Sequence, residues 1–294
     1  MASVDSRALI AAIVLFSASL FVIGLRWSAI LEALGHSVSA VTTIPLVFVG
    51  QFFSQMLPSG VGGDVARAWL ARSRGVRLSA AISSVAVDRI SGLISLLILG
   101  TAGVPALYHV AHARVAFGGI SLLLLAGYCG CGLIFALDRL PKGLQRFTAV
   151  QALSQIARDV RATVLRPKVA FQVMGYSFVI QIAIVVVVFI LTRGLAIQAS
   201  MLSCLLVVTL SNLLQALPIS IAGWGLREGT FVTGFGLFGM ARSDALALSL
   251  VFGLIVLLTS LPGSVIWLVQ KPSRAEALTS ESDSLGASAL ADGQ

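Results

Sequence analysis

The stretch Q-M-L-P-S-G-V-G-G-D-V-A-R, from Gln55 to Arg67, ends an apolar run at a proline, sets glycine at positions 60, 62 and 63, and then delivers Asp64 and Arg67. The run it ends, Ile44–Leu57, is shorter than the roughly 20 residues a bilayer-spanning helix needs. Proline removes a backbone donor and glycine opens backbone angles closed to other residues, so a helix breaks here. A second stretch, Q-A-L-P-I-S-I-A-G-W-G-L-R from Gln215 to Arg227, follows the apolar run Met201–Leu217 and repeats the pattern. Identical residues fall at Gln55/Gln215, Leu57/Leu217, Pro58/Pro218, Gly63/Gly223 and Arg67/Arg227, with Val61/Ile221 a close substitution. Shared Leu and Gly are common in any apolar chain; Pro and Arg in register are not. The two stretches are expected to be an internal repeat of broken helices, with chance resemblance as the competing explanation.

The surroundings of these breaks are hydrocarbon-like. The chain is 57% hydrophobic and 11% charged, against roughly 25% charged in a soluble domain. Such a chain cannot cover its own surface with polar groups in water. About eight apolar segments follow one another: Ala8–Trp27, Ile44–Leu57, Leu78–Pro105, Val115–Leu137, Val169–Thr192, Met201–Leu217, Thr230–Met240 and Ala245–Gln270. The expected fold class is therefore all-α, a polytopic integral membrane bundle, with residues 1–270 as its transmembrane domain. The first segment reads as an uncleaved anchor: its apolar run is long for a signal peptide, and no clean small-x-small cleavage site follows it before Arg26. Residues 271–294, rich in Ser, Ala and acids, read as a disordered polar tail that buries too little to offset ordering entropy.

The net charge of +8 does not point to nucleic acid, because the basic residues sit in short connections between apolar runs. Residues 139–168 form the one long polar connection, with Arg139, Lys142, Arg146, Arg158, Arg161, Arg166 and Lys168. Within it Leu153, Ile156, Val160 and Val164 recur at helical spacing, opposite Gln155, Arg158, Asp159 and Arg161. That pattern predicts an amphipathic helix lying in the interface against anionic lipid headgroups, or an ordinary solvated helix. The basic bias places this connection in the cytoplasm, together with Arg72, Arg74, Arg77, Lys271 and Arg274. An even number of spans then puts both termini in the cytoplasm.

Charge follows each break. The first offers Asp64 and Arg67, the second Arg227 and Glu228, and the third segment carries Asp88 and Arg89 inside its apolar run. Ionisable groups at such depth cost at least ~2.5–3.5 kcal/mol each on insertion scales, so they pair or line a polar cavity. Three acids and three arginines here can neutralise one another as structural ion pairs. Alternatively, some of the arginines receive an anionic headgroup, because the planar guanidinium fork suits phosphate and a helix N-terminus adds amide donors. Arg67 and Arg227 are the foremost binding candidates, with Asp64, Asp88, Arg89 and Glu228 beside them. Pro58, Gly60, Gly62, Gly63, Pro218, Gly223 and Gly225 are the candidate helix-break residues. Paired breaks of this kind point to a transporter's binding site. Counting segments gives the breaks the same orientation, a parallel repeat; an inverted repeat requires a re-entrant segment. Trp224 reads as an interface residue or as a ring that stacks on a ligand.

Other chemistry finds little support. Cys129, Cys131 and Cys204 lie in apolar stretches without metal-type spacing and read as small buried hydrophobes. HExxH is absent, and His36, His109 and His112 fall between apolar segments, so no metal and no cofactor are expected. Asp64 and Asp88 invite comparison with intramembrane aspartyl proteases, which share a proton between carboxylates. Val61, however, stands where the first glycine of their G-x-G-D motif would be.

Taken in order, Arg26-Trp27, L-P-S-G-V-G-G-D-V-A-R-A (57–68), S-V-A-V-D-R-I-S-G-L (84–93), L-P-I-S-I-A-G-W-G-L-R-E-G (217–229) and G-L-F-G (236–239) resemble the transmembrane region of the lysylphosphatidylglycerol synthase family, also described as flippase-like. The resemblance runs from about Leu20 to Lys271. It implies a multi-pass protein of a bacterial or archaeal inner membrane, associated with moving lipids or lipid-linked sugars between leaflets. The family's characteristic residues would fall on Pro58, Gly62, Gly63, Asp64, Arg67, Asp88, Arg89, Gly223, Arg227 and Glu228. Two departures matter: many relatives carry a further hydrophobic segment before the Arg-Trp helix, and the name-giving members carry a large C-terminal aminoacyl-transferase domain. Synthesis of lysyl-lipid is therefore not expected of this sequence.

The function expected is translocation of an anionic phospholipid or lipid-linked saccharide through a polar cavity between the two broken helices, without enzymatic activity. The alternatives are a non-transporting accessory protein that recruits lipid- or glycan-modifying enzymes through its basic connection, an intramembrane enzyme, and a small-solute transporter.

Overall fold

A computed structural model describes residues 5–57, 61–107, 114–136, 148–216 and 223–270. These residues form helices and no strand. The helices are α1 (Ser6–Ala33), α2 (Ala40–Met56), α3 (Gly62–Arg72), α4 (Leu78–Leu107), α5 (Arg114–Ala136), α6 (Thr148–Val164), α7 (Pro167–Gly194), α8 (Met201–Gln215), α9 (Leu226–Leu237) and α10 (Arg242–Gln270). Five are long and apolar enough to cross a membrane: α1, α4, α5, α7 and α10. α2 and α8 are shorter apolar helices of 17 and 15 residues. The expected apolar segments overlap helices, but only five of the described helices reach spanning length instead of about eight, and α3 was not anticipated as a separate helix. Pro58, Gly60 and Pro218 lie outside the described residues, as do residues 139–147 of the basic connection and the tail 271–294.

Local chemistry sets the ends. Asp5 caps α1 by accepting from the Arg7 amide, Ser200 caps α8 by accepting from the Ser203 amide, and Pro167 opens α7, where its missing N–H costs nothing. Several buried hydroxyls find partners within their own helices. Ser84, Ser91 and Thr259, for example, donate to the carbonyls of Ala81, Asp88 and Ile255, which suits polar groups in a medium without water.

α1 and α7 pack along their lengths in opposite directions. The Asp5 amide at the start of α1 donates to the Gly194 carbonyl at the end of α7 (3.0 Å). At the other end, Arg166, just before α7, donates from Nη1 to the Ala33 carbonyl that closes α1 (2.8 Å). Around this pair the remaining contacts come in matched sets: α2 with α3 and α8 with α9, α3 with α4 and α9 with α10, α2 with α10 and α8 with α4.

Each short apolar helix folds back on its successor. Along α2 and α3, Leu57 lies beside Gly62, Ser54 beside Gly63, and Gly50 beside Arg67, which is an antiparallel register. A Cβ on Gly63 would collide with the Gly50 carbonyl oxygen and the Ser54 hydroxyl, so glycine is what lets these helices close. α8 and α9 pair likewise, Gln215 beside Gly223 and Val207 beside Gly234. The core between the halves is aromatic: Phe252 of α10 meets Phe16 of α1 edge-on at 6.0 Å and stacks on Phe231 of α9 at 6.2 Å.

α6 is the amphipathic helix the spacing called for, rotated from the expected face. Val160 is buried, but with Ser154, Ala157 and Thr163 rather than Leu153 and Val164, which remain exposed. The small side chains of that face let α6 seat against α4, α5 and α7. Leu153, Val164 and Leu165 point away.

Candidate functional site

Charged residues of several helices converge on one cavity of about 580 Å³. Arg26 of α1, Arg67 of α3, Arg89 of α4 and Arg227 of α9 all line it, together with Asp64, Asp88, Gly63 and Gly223. Asp88 is the eleventh residue of α4, so it lies about 15 Å along that helix at 1.5 Å per residue. Gly253, against which Arg227 packs, is the twelfth residue of α10. Both positions lie well inside helices long and apolar enough to cross a membrane.

Three ionic groups surround the space. In the first, Asp88 is buried between two arginines: Oδ1 accepts from Arg26 Nε at 2.8 Å and Oδ2 from Arg67 Nη2 at 3.1 Å. Arg26 also donates from Nη1 to Ser177 of α7 at 3.0 Å, which ties α1, α4 and α7 together. In the second, Arg89 grips Asp64 with both arms, Nε to Oδ2 at 2.7 Å and Nη2 to Oδ1 at 3.1 Å. In the third, Arg227 donates from Nη2 to Glu228 Oε1 at 2.9 Å, while Glu228 Oε2 accepts the Gly225 amide and so caps α9.

Arg67 and Arg227 occupy similar niches. The Arg67 guanidinium lies 4.4 Å over the Trp27 ring, and that of Arg227 lies 4.8 Å over Trp224 and 5.8 Å from Phe252. A glycine makes room for each side chain, Gly50 for Arg67 and Gly253 for Arg227. Both residues are buried, at 7% and 2% exposure, and each has a buried Nε without a hydrogen-bond partner. An unmet donor on a buried cation is costly. Both arginines line the same cavity.

Of the residues singled out from sequence, Arg67, Arg227, Asp64, Asp88 and Arg89 come together on the cavity, and Glu228 stands directly behind Arg227. Gly62 and Gly63 are the first residues of α3, where they permit close packing. Gly223 and Gly225 sit in the turn before α9 at φ +79° and +84°, the left-handed region. The two arginines do not hold the same place in their helices: Arg67 is the sixth residue of α3, Arg227 the second of α9. Asp64 and Glu228 are each third, where a carboxylate meets the positive end of its helix. Trp224 stacks on the protein's own Arg227.

Sequence reasoning missed Arg26 as a site residue and with it the charge balance. Four arginines, not three, face three carboxylates. It also missed a set of carboxamides on the wall, Gln51 and Gln55 of α2, Gln181 of α7, Asn212 and Gln215 of α8. The rule that drew attention to Asp88 applies equally to Arg26, and Gln55/Gln215 already stood out as matched positions.

With this geometry in hand, the comparisons are brief. The family model described as lysylphosphatidylglycerol synthase TM region matches residues 1–263. No curated protein and no solved structure matches the chain.

Proposed function

Since the chain belongs to the lysylphosphatidylglycerol synthase transmembrane-region family, we propose that it translocates an anionic lipid, or a lipid-linked saccharide, between leaflets of the membrane. The headgroup would enter the arginine-lined cavity while the acyl chains stay in lipid. The observation that carries this reading is the pair of buried arginines, Arg67 and Arg227, that line one cavity while each keeps a buried Nε without a partner.

The architecture supports a carrier. On this reading α1–α4 and α7–α10 are two copies of one four-helix unit in opposite orientation, because α1 and α7 are antiparallel and their companions make matched contacts. α2–α3 and α8–α9 are then re-entrant hairpins that dip in from opposite faces and meet at the cavity. Inverted repeats with broken helices at the midplane are the arrangement from which alternating access arises. Irregular backbone at that depth is tolerated because it borders a polar space.

Five crossings also redistribute the charge. Arg72, Arg74, Arg77, the 139–168 connection and Lys271 and Arg274 share one face, and Arg7, Arg114, Arg193 and Arg242 the other. The first face is the cytoplasmic one by the positive-inside rule. The end of α10 then faces the cytoplasm, and the start of α1 the opposite side.

We read the protein as a non-enzyme. Asp64 and Asp88 are each held by arginine and do not share a proton as a protease dyad would. The test is reconstitution. Purified protein in liposomes should speed the passage of acyl-labelled phosphatidylglycerol across the bilayer relative to empty liposomes. Equal rates with phosphatidylglycerol and with prenyl-phosphate lipids would reject the proposal.

A further inference from the structure

Resting on that translocator reading, we infer that the two hairpins are mechanically unequal: α8–α9 is the part that slides, and α2–α3 is the fixed wall it slides past. The charges separate them first. Each charged group that α3 brings to the cavity finds its partner on α4: Asp64 with Arg89 at 2.7 and 3.1 Å, and Arg67 with Asp88 at 3.1 Å. α3 cannot leave α4 without splitting two ion pairs, one of them buried, and a buried charge stripped of its partner is costly. On α9 the two charged groups are neighbours and bond to each other, Arg227 to Glu228 at 2.9 Å. They travel as a neutral unit, with Trp224 stacked on the guanidinium. α10 offers this pair the Ser249 hydroxyl, 3.4 Å from Glu228 Oε1, and the bare backbone of Gly253.

Packing separates them again. α2 meets its flanking helices at their backbones. Thr43 donates to the Gly24 carbonyl of α1 at 2.8 Å, a Cβ on Gly24 would lie 2.8 Å from the Ile44 Cα, and one on Gly263 of α10 would fall on the Phe48 carbonyl. Contacts this close leave no room for sliding. α8 meets α4 through side chains instead: Gly103 faces the end of Leu206, and Gly100 the Thr209 methyl. Across to α7, the hydrogen bond from Asn212 Nδ2 to Gln181 Oε1 is long, 3.3 Å. α9 meets α10 through the stacked rings of Phe231 and Phe252. Apolar contacts of this kind are non-directional, and side chains that can repack permit the shear of one helix along another.

Spin labels on the whole protein in vesicles of phosphatidylglycerol and phosphatidylcholine test this. With Cys129, Cys131 and Cys204 replaced by alanine, one label sits at Val179→Cys of α7. The second sits at Val65→Cys of α3 or at Thr233→Cys of α9; all three sites are exposed. Pulsed electron paramagnetic resonance should give two distances for the Thr233 pair, about 5 Å apart, the step of a helix that ratchets by one turn. The Val65 pair should give a single distance. Two distances for the Val65 pair, or a single one for both pairs, overturn the inference. Asp64→Asn with Arg89→Gln removes one ionic anchor of α3 and should bring a second distance to the Val65 pair. A folded variant that keeps a single distance there overturns the inference as well. Passage of acyl-labelled phosphatidylglycerol, followed in the same vesicles, judges the parent reading separately: two distances on α9 with passage at the protein-free rate keep the sliding hairpin and remove translocation.

Discussion

Arg67 reaches Asp88 through Nη2 at 3.1 Å yet keeps its Nε buried and unmet. The other oxygen of Asp88 holds Arg26 at 2.8 Å. A single carboxylate thus anchors two guanidinium groups and neutralises only one. The remaining charge is fixed in place, deep in the bundle, on a cavity wall. An anion bound there replaces solvation that the lipid cannot supply.

Removing the anchor exposes its worth. Asp88→Asn leaves Arg26 and Arg67 side by side without their counter-ion, and should destabilise the detergent-solubilised protein by about 3–5 kcal/mol. Arg26→Met in the same chain removes one of the two uncompensated charges and should recover part of that loss. Thermal unfolding of the single and double variants measures both. An Asp88→Asn variant as stable as the parent would mean that the triad is solvated.

Gly253 tests the niche of Arg227. A methyl group at this position would fall on the Arg227 Nη2 atom, which is the far end of a flexible side chain. Gly253→Ala should therefore change stability by less than about 1 kcal/mol while moving the guanidinium, and transport should fall by about tenfold. Gly63→Ala is the contrast. Its methyl would meet the backbone oxygen of Gly50, which cannot swing away, so the variant should lose about 1–3 kcal/mol of stability. Melting curves and transport rates for the two proteins should split in that way.

The proposed opposed hairpins make a topological prediction. With Cys129, Cys131 and Cys204 replaced by alanine, Ser37→Cys, between α1 and α2, should react with a membrane-impermeant thiol reagent only after the cytoplasmic face is opened. Gln198→Cys, between α7 and α8, should react from outside. Both residues are exposed. Labelling of both from the same side would restore the parallel arrangement.

Much of the bundle was legible because lipid imposes a severe rule: apolar runs become helices, and a break or a charge within one demands a reason. That rule located α1, α4, α7 and α10 and drew attention to Arg67, Asp88 and Arg227. The orientation of the halves was not legible. Hydropathy measures how apolar a segment is, but not whether it crosses, so the parallel or inverted sense of the expected repeat could not be read from it. Only contacts such as Asp5 with Gly194 and Arg166 with Ala33 carry the direction. Arg26 escaped for a related reason. It lies near one end of the first apolar run, where an arginine ordinarily reaches water, and only the fold turns it inward to Asp88 and Ser177. The carboxamides are spread over α2, α7 and α8, and no single stretch reveals that they share a wall.

The paired arginines bear the main weight, and one rate comparison tests them most directly. Vesicles containing the Arg67→Gln, Arg227→Gln double variant, with correct folding checked by its melting curve, are compared with the unaltered protein for passage of acyl-labelled phosphatidylglycerol. Losing charge-assisted bonds worth about 1.5–3 kcal/mol each should bring the double variant down to the rate of protein-free vesicles. A folded double variant that moves the lipid at the unaltered rate would contradict the account.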